Sequence, residues 1–314
     1  MSSLLDLSII IVNYKTPDLT IRCIDSIYAT TKCNFEVIVV DNASMDDSKE
    51  RICTAFPKVI WIQNKENDGF GRANNLGVAN SRGKYILLLN SDMVLTDDCI
   101  DHCLRKMAEY DLPVVYACRL VNADGSLQRN AYYDIVSIRK MLNNSILYVK
   151  LFGEIKQKPN EEIKALMGAF MLIPLDMFKE VNGFDPDFFM YCEEMDLCRR
   201  LASKGCRFRV ADDVYAIHKH EGSSSNKQKT YAQRLLSESL LVYKVRGWLF
   251  YAMYHFVFIN IVVTNLIISI FARKYKQSVT MVVKAYFNNF WRYFTIPFEY
   301  RRGMGDGKRM LKVN

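Results

Sequence analysis

Leu7-Ser8-Ile9-Ile10-Ile11-Val12 is a β-branched apolar run that stops at Asn13-Tyr14-Lys15-Thr16-Pro17-Asp18. An uninterrupted apolar run of this length marks a strand buried on both faces, the habit of parallel sheets. The stop is a turn, and apolar residues at helical spacing follow over residues 19–28. The alternation recurs downstream. Phe35-Glu36-Val37-Ile38-Val39-Val40 ends in Asp41-Asn42-Ala43-Ser44, and Val59-Ile60-Trp61-Ile62 is a shorter strand. Tyr85-Ile86-Leu87-Leu88-Leu89 ends in Asn90-Ser91-Asp92. Strands separated by helical segments imply an α/β fold with a mostly parallel central sheet. Ligands of such sheets bind beyond the carboxyl ends of the strands, where Asn13, Asp41 and Asp92 stand. One polar residue at a strand end is ordinary turn chemistry, but three at three strand ends point to a binding site.

Beyond residue 130 the pattern weakens. Residues 131–159 mix Tyr, Asn and Lys and read as a partly helical insertion near the active face. Residues 166–175 are apolar and return to the sheet, and Arg207-Phe208-Arg209-Val210 reads as a short strand. The chain of 314 residues suffices for one large domain with an appendage, or for two domains, and its 50% hydrophobic content supplies a full core. Nine cysteines without a C-x-x-C pair argue against a disulfide framework or a zinc site and imply reduced thiols. The first apolar run begins after Asp6 with no basic segment before it, so it reads as a strand rather than a signal peptide.

The net charge of +8 is uneven, because from Arg273 onward Lys and Arg abound and Glu299 and Asp306 are the only acids. Before this basic stretch, residues 247–272 contain no Asp, Glu, Lys or Arg. That length can cross a bilayer. Tyr251, Tyr254, His255, Asn260, Thr264, Asn265 and Ser269 interrupt it, however, and basic residues flank both ends. A helix in the membrane interface or a re-entrant hairpin, a single span, and a helix packed on protein all remain open. A second basic and aromatic stretch covers 279–302. Basic residues among aromatics next to an apolar helix suit an anionic membrane surface better than nucleic acid.

The densest chemistry lies in Phe188-Phe189-Met190-Tyr191-Cys192-Glu193-Glu194-Met195-Asp196-Leu197-Cys198-Arg199-Arg200. Three carboxylates crowd among apolar residues, an environment that suits one of them to act as a general base. The plainer role for such acids is at a helix N-terminus, where the macrodipole favours them. Asn67-Asp68-Gly69-Phe70-Gly71-Arg72-Ala73-Asn74-Asn75 looks like a phosphate loop, but it reads G-x-G-x-x-N and does not follow the first strand. A nicotinamide enzyme is therefore not expected.

Taken in order, these motifs resemble a known family. The set is Ser8 to Tyr14, Val40-Asp41-Asn42-Ala43-Ser44, Gly69-Phe70 with Asn74-Asn75, Asn90-Ser91-Asp92, Gly168-Ala169-Phe170, Gly183-Phe184-Asp185, the acidic stretch, and His218-Lys219-His220-Glu221-Gly222-Ser223. It is similar to the family 2 inverting glycosyltransferases, in particular the rhamnosyltransferase-like branch. The resemblance implies a GT-A nucleotide-diphospho-sugar transferase fold over residues 1–225, followed by a helical, membrane-associated region over 226–314. It implies that Asp41 reads a pyrimidine base with Asn13 and Tyr14 nearby, and that Asn74, Asn90 and Gly168 belong to the nucleotide-sugar site. Asp92 and His218 would hold Mg²⁺ or Mn²⁺, His220 being a possible substitute for His218. Glu194 would be the base, with Glu193 beside it. The family's second acid is aspartate, so glutamate here is a departure. Asn90 likewise departs from the aspartate of the family's D-x-D motif. Asp196 and Arg200 are expected to form a supporting ion pair.

The implied activity is metal-dependent transfer of one sugar from a UDP- or dTDP-sugar to a glycan or lipid-linked glycan in surface polysaccharide synthesis. The implied place is the cytoplasmic face of the inner or plasma membrane, as a peripheral or monotopic protein. The alternatives are a non-catalytic nucleotide- or glycan-binding subunit of a membrane assembly complex, and a nucleotidyltransferase. The latter would leave Glu193, Glu194 and His218 without a role.

Overall fold

The computed structural model describes residues 5–155, 162–219 and 226–313. Strands β1 (Leu7–Asn13), β2 (Phe35–Asp41), β3 (Ile60–Gln63) and β4 (Tyr85–Asn90) form a parallel half-sheet in the order β3-β2-β1-β4. Their Ile, Val and Leu side chains are buried almost without remainder, which accounts for the missing alternation of polar residues. The register sets Asn13 beside Asp41 and Asp41 beside Gln63, so the polar strand ends are level with one another.

Helices α1 (Pro17–Thr30), α2 (Ser48–Ala55) and α3 (Gly69–Ala79) connect these strands. The glycine-rich stretch is therefore the start of a helix rather than a loop. Gly77 lets α3 lie close on the sheet, since a Cβ there would collide with Ile10 and stand 3.2 Å from Val40 Cγ2.

The sheet continues as β9-β6-β10-β5, formed by β5 (Met93–Leu95), β6 (Val114–Val121), β9 (Phe170–Pro174) and β10 (Arg207–His218). This half is mixed. β9 runs antiparallel to β4 and β6, β10 runs parallel to β6, and β5 runs antiparallel to β10. The short strand expected at 207–210 extends to His218 through a register irregularity between Val210 and Tyr215. The irregularity accommodates Asp212, which bonds Arg119 at 2.8 Å, and Asp213, which lies 3.0 Å from His102. Around this half lie α4 (Cys99–Ala108), α7 (Leu175–Glu180) and α8 (Glu193–Ser203), with a small hairpin of β7 (Ala131–Tyr132) and β8 (Ala165–Leu166). The expected α/β architecture, a mostly parallel sheet with helices concentrated toward the C-terminus, is what the chain forms.

The chain divides into two compact units. One holds residues 1–132, 163–185 and 194–223, and the other holds 133–162, 186–193 and 224–314. The second unit is helical: α5 (Ile138–Met141), α6 (Ile146–Phe152), α9 (Lys227–Arg246), α10 (Trp248–Phe271), α11 (Lys276–Phe287) and α12 (Phe290–Glu299).

Several polar residues that interrupt the apolar helix α10 are its docking points. Tyr251 donates to the Tyr293 carbonyl, Tyr254 to Glu238, and Asn265 exchanges bonds of 2.6 and 2.8 Å with the backbone at Asn144 and Ile146. Other positions on the same helix, among them Leu249, Phe256, Ile270 and Phe271, are exposed. α10 is 24 residues long, its most apolar 18-residue window has a mean hydropathy of 1.9, and it is the one helix among the described residues long and apolar enough to cross a membrane. Only 28% of its apolar window is buried within the protein.

Candidate active site

The first cluster stands at the carboxyl ends of β1 and β2. Asn13 and Asp41 are buried and joined by a hydrogen bond of 2.7 Å from Asn13 Nδ2 to Asp41 Oδ1. Ser44 donates to Asp41 through both its backbone N–H and its hydroxyl, and Gln63 Nε2 donates to Asp41 Oδ2 at 2.7 Å. Thr20 holds the other end of the Asn13 amide at 2.8 Å. The carboxylate thus receives four donors, about the number an ionised carboxylate can accept. A base imide reaching Asp41 has to take the place of a protein donor, and Gln63 is the exposed one among them. A cavity of about 230 Å³ opens here, lined by Asp41, Met45, Trp61, Gln63 and Lys65 among others. Tyr14 is exposed at its edge of the sheet, with Lys15 Nζ 5.5 Å from its ring centroid.

Backbone strain concentrates in these loops. Among the described residues seven non-glycines have positive φ, and Lys15, Ala43 and Met45 follow β1 and β2 directly. Two more, Tyr191 and Cys192, immediately precede the Glu193-Glu194 pair. Left-handed residues of this kind persist where the surroundings over-determine them, commonly at functional sites.

The second cluster joins three segments. Asn90 ends β4, Asp92 precedes β5 and His218 ends β10. Asp92 and His218 are buried, with His218 Nε2 3.3 Å from Asp92 Oδ1 and 3.4 Å from Asn90 Nδ2. Gln128 decides the state of the imidazole. Its Nε2 donates to the His218 carbonyl at 2.6 Å, which turns its Oε1 toward His218 Nδ1 at 3.0 Å. An amide oxygen can only accept, so Nδ1 carries a proton, and Nε2 is the ring nitrogen that faces Asp92. His220 lies outside the described residues.

Among the described residues no group of three or more His, Cys, Asp or Glu is placed to hold a metal. The donor set nevertheless fits a divalent cation whose other ligands come from a diphosphate and water. Two neighbouring ligands at about 2.1 Å from Mg²⁺ stand about 3 Å apart, close to the separation found.

The third cluster surrounds α8. Glu193 is buried and Glu194 half-buried at the start of the helix. The Tyr132 hydroxyl lies 3.4 Å from Glu194 Oε1. A Cβ on Gly168 would stand 3.3 Å from the Phe70 ring and 3.8 Å from Glu194 Cβ, so Gly168 lies close to both. Asp196, wholly buried, accepts from Arg199 at 3.0 Å and Arg200 at 2.7 Å, and Arg200 also donates to the carbonyls of Val181 and Gly183. Asp196 and Arg200 are therefore structural partners, as expected. Burial pushes the Cys198 thiol up to about 12, and the nearby Glu194 charge adds to this, so Cys198 is a core residue. Asn74 is buried in α3 and donates to the Phe70 carbonyl at 2.9 Å. Its neighbour Asn75 bonds both the N–H and the carbonyl of Phe184 at 2.8 Å.

The sequence reading missed three contributors: Gln63, Gln128 and Tyr132. For Gln128 a signal exists, because Asp124-Gly125 marks a turn. That turn folds the chain back along β6 so that Gln128 N bonds the Leu120 carbonyl at 2.9 Å, next to the strand ending in His218.

The model of "Glycosyl transferase family 2" matches residues 8–181. The chain is 29% identical over 245 residues to the rhamnosyltransferase WbbL of Escherichia coli K12, covering 73% of this chain and 89% of that one. It is 27% identical over 230 residues to the glycosyltransferase GlyG of Streptococcus pneumoniae, covering 69% and 72%. Among solved structures, the mannosyltransferase PcManGT of Pyrobaculum calidifontis, in complex with GDP-Man and Mn²⁺, aligns with a TM-score of 0.57 at 13% identity, over 93% of this chain and 88% of that one. TarS 1–349 of S. aureus, in complex with UDP, aligns with a TM-score of 0.53 at 14% identity, over 83% and 72%. These structural likenesses establish the fold.

Proposed function

The chain belongs to glycosyl transferase family 2, and from that premise we propose that it transfers one sugar, with inversion, from a UDP- or dTDP-sugar to a glycan or lipid-linked glycan. The observation that carries this reading is the Asp92–His218 pair with its imidazole set by Gln128. It offers one carboxylate oxygen and one imidazole lone pair to a divalent cation, at the carboxyl edge of the sheet where a diphosphate would lie. Mg²⁺ or Mn²⁺ held by Asp92 and His218 would neutralise charge on the diphosphate leaving group.

The base-binding end is the Asn13–Asp41 cluster. Gln63 turns off Asp41 Oδ2 so that a uracil or thymine imide N–H donates there instead. Tyr14, Asn74, Asn90 and Gly168 stand as further candidates for the nucleotide-sugar site. Glu194 takes the proton from the acceptor hydroxyl as its oxygen bonds to the anomeric carbon. The bond from that carbon to the diphosphate oxygen breaks, and the electron pair leaves with the nucleoside diphosphate. Glu193, buried at the same helix start, is the second acid of the pair.

We further place the protein at the cytoplasmic face of the inner or plasma membrane, in surface polysaccharide synthesis. Support comes from the exposed Leu249, Phe256, Ile270 and Phe271 of α10, the Arg273, Lys274 and Lys276 that follow, and the exposed Trp291, Phe294 and Phe298 of α12. Apolar and aromatic side chains beside clustered cations favour an anionic lipid surface. Flotation of the full-length protein with anionic vesicles tests this, and protein that stays at the bottom of the gradient refutes it. The activity itself is tested by a donor screen with Mn²⁺ or Mg²⁺, reading released UDP or dTDP. Release by wild type and none by Glu194→Gln is expected, and equal release by both refutes the assignment.

A further inference from the structure

Four successive residues of the segment leading into α8 are each held by a different device, all within the helical unit. Asp187, buried, accepts from Lys244 Nζ at 2.7 Å, and Lys244, also buried, donates to the Gly303 carbonyl at 3.0 Å. Phe188, wholly buried, forms a parallel bridge with Leu311, whose N–H donates to the Asp187 carbonyl at 2.8 Å. Lys312 Nζ lies 4.5 Å from the centre of the Phe189 ring. The Met190 carbonyl accepts from Ser237 at 2.7 Å.

Leu311 and Lys312 of residues 303–313 supply two of these devices, Lys244 and Ser237 of α9 the other two, and α9 also fastens residues 303–313. Gln233, buried in α9, donates to the Leu311 carbonyl at 2.8 Å and accepts from Val313 N at 2.7 Å. Gly305 is pressed against the Asp187 carboxylate, where a Cβ would fall on its Cγ and both oxygens. Immediately after the held residues come Tyr191 and Cys192, at φ 71 and 68, and then Glu193 and Glu194.

Two consecutive left-handed non-glycine residues are strained and persist only where the surrounding structure holds them. A buried Lys–Asp pair adds little to stability over an apolar pair, but it fixes one geometry. We propose that residues 303–313 form a positioning strap, with Lys244 and Gly305 as positioning residues, that holds the Tyr191–Cys192 turn and so fixes the backbone conformation with which the Glu193-Glu194 pair begins. The proposal rests on the reading of Glu194 as the base. The strap touches no substrate and acts only through the backbone that leads into the helix.

The test uses the full-length protein with Gly305→Ala, which pushes the Asp187 carboxylate off Lys244, and Ser237→Ala, which releases Met190. Three quantities are read: backbone hydrogen exchange over residues 186–198, UDP affinity by calorimetry, and kcat with KM for the donor. Faster exchange over 186–192 is expected, with kcat reduced about 10- to 100-fold and UDP affinity and donor KM within about twofold of wild type. Faster exchange with unchanged kcat overturns the positioning role. A parallel fall of UDP affinity and kcat with a lowered Tm makes the strap merely structural and overturns it too. Should the wild type release no nucleoside diphosphate from any donor, the glycosyltransfer reading falls by itself. Exchange then still decides the strap, and unchanged protection in Gly305→Ala refutes it.

Discussion

The two halves of the sheet carry different kinds of site. In the parallel half, β3-β2-β1-β4, the functional candidates Asn13 and Asp41 face each other across one strand register and are bonded to Ser44, Thr20 and Gln63 in a closed network. In the mixed half, β9-β6-β10-β5, the candidates come from remote parts of the chain, and Asp92 meets His218 through strands of opposite direction. Such a network is satisfied before any ligand arrives, with Gln63 as its exposed member. Here an acid oxygen and a ring nitrogen face one another at 3.3 Å, the pair proposed above to hold a divalent cation. Under the proposed function the parallel half serves recognition and the mixed half chemistry.

Substitutions sharpen or break this division. The largest effect is expected at Glu194, where Gln should lower kcat by about 1,000-fold and leave UDP affinity unchanged. Normal turnover in Glu194→Gln together with a dead Glu193→Gln would exchange the two roles. Next is Asp92→Ala, which should weaken metal-dependent UDP binding by about 100-fold or more in calorimetry, with the metal-free binding and the circular dichroism spectrum unaltered. If metal dependence survives intact in that variant, the mixed half is not the metal site.

Gln128→Leu removes the acceptor that keeps the proton on His218 Nδ1, and about a tenfold loss of Mn²⁺ affinity is expected from a Mn²⁺ titration. Asp41→Asn should act on the other half alone, weakening UDP by about tenfold with kcat at saturating donor little changed. A loss of kcat larger than the loss of affinity would erase the contrast between the halves. The smallest effect concerns Cys198. Its thiol is pushed up to about 12 by burial, so at neutral pH it stays protonated. Iodoacetamide labelling of the native protein at pH 8, read by mass spectrometry, should leave Cys198 unmodified, although Glu194 is nearby.

Much of the parallel half was open to reading from the chain. Runs such as Ser8-Ile9-Ile10-Ile11-Val12 lack polar alternation because both faces are covered, and a polar residue ends each run. Asp196 and Arg200 were equally legible, since i,i+4 partners on one helix turn meet by geometry alone. The mixed half was harder. β6 carries Cys118 and Arg119 within its run, and β10 is interrupted by Asp212 and Asp213, whose place in a strand depends on a register irregularity and on Arg119 across the pair.

What the sequence determined by itself was local: apolar periods of two kinds, the stops between them, and an ordered set of motifs specific enough to imply the family and its fold. Tertiary structure decided what depends on contacts between residues far apart. Gln63 occupies Asp41, Gln128 fixes the His218 tautomer, and the chain's last residues hold the backbone that leads into Glu194. The physical reason is that a hydrogen bond has no signature in either partner's neighbourhood. An amide oxygen selects a proton on a ring nitrogen only after strand pairing has brought them to 3.0 Å, across 90 residues of chain.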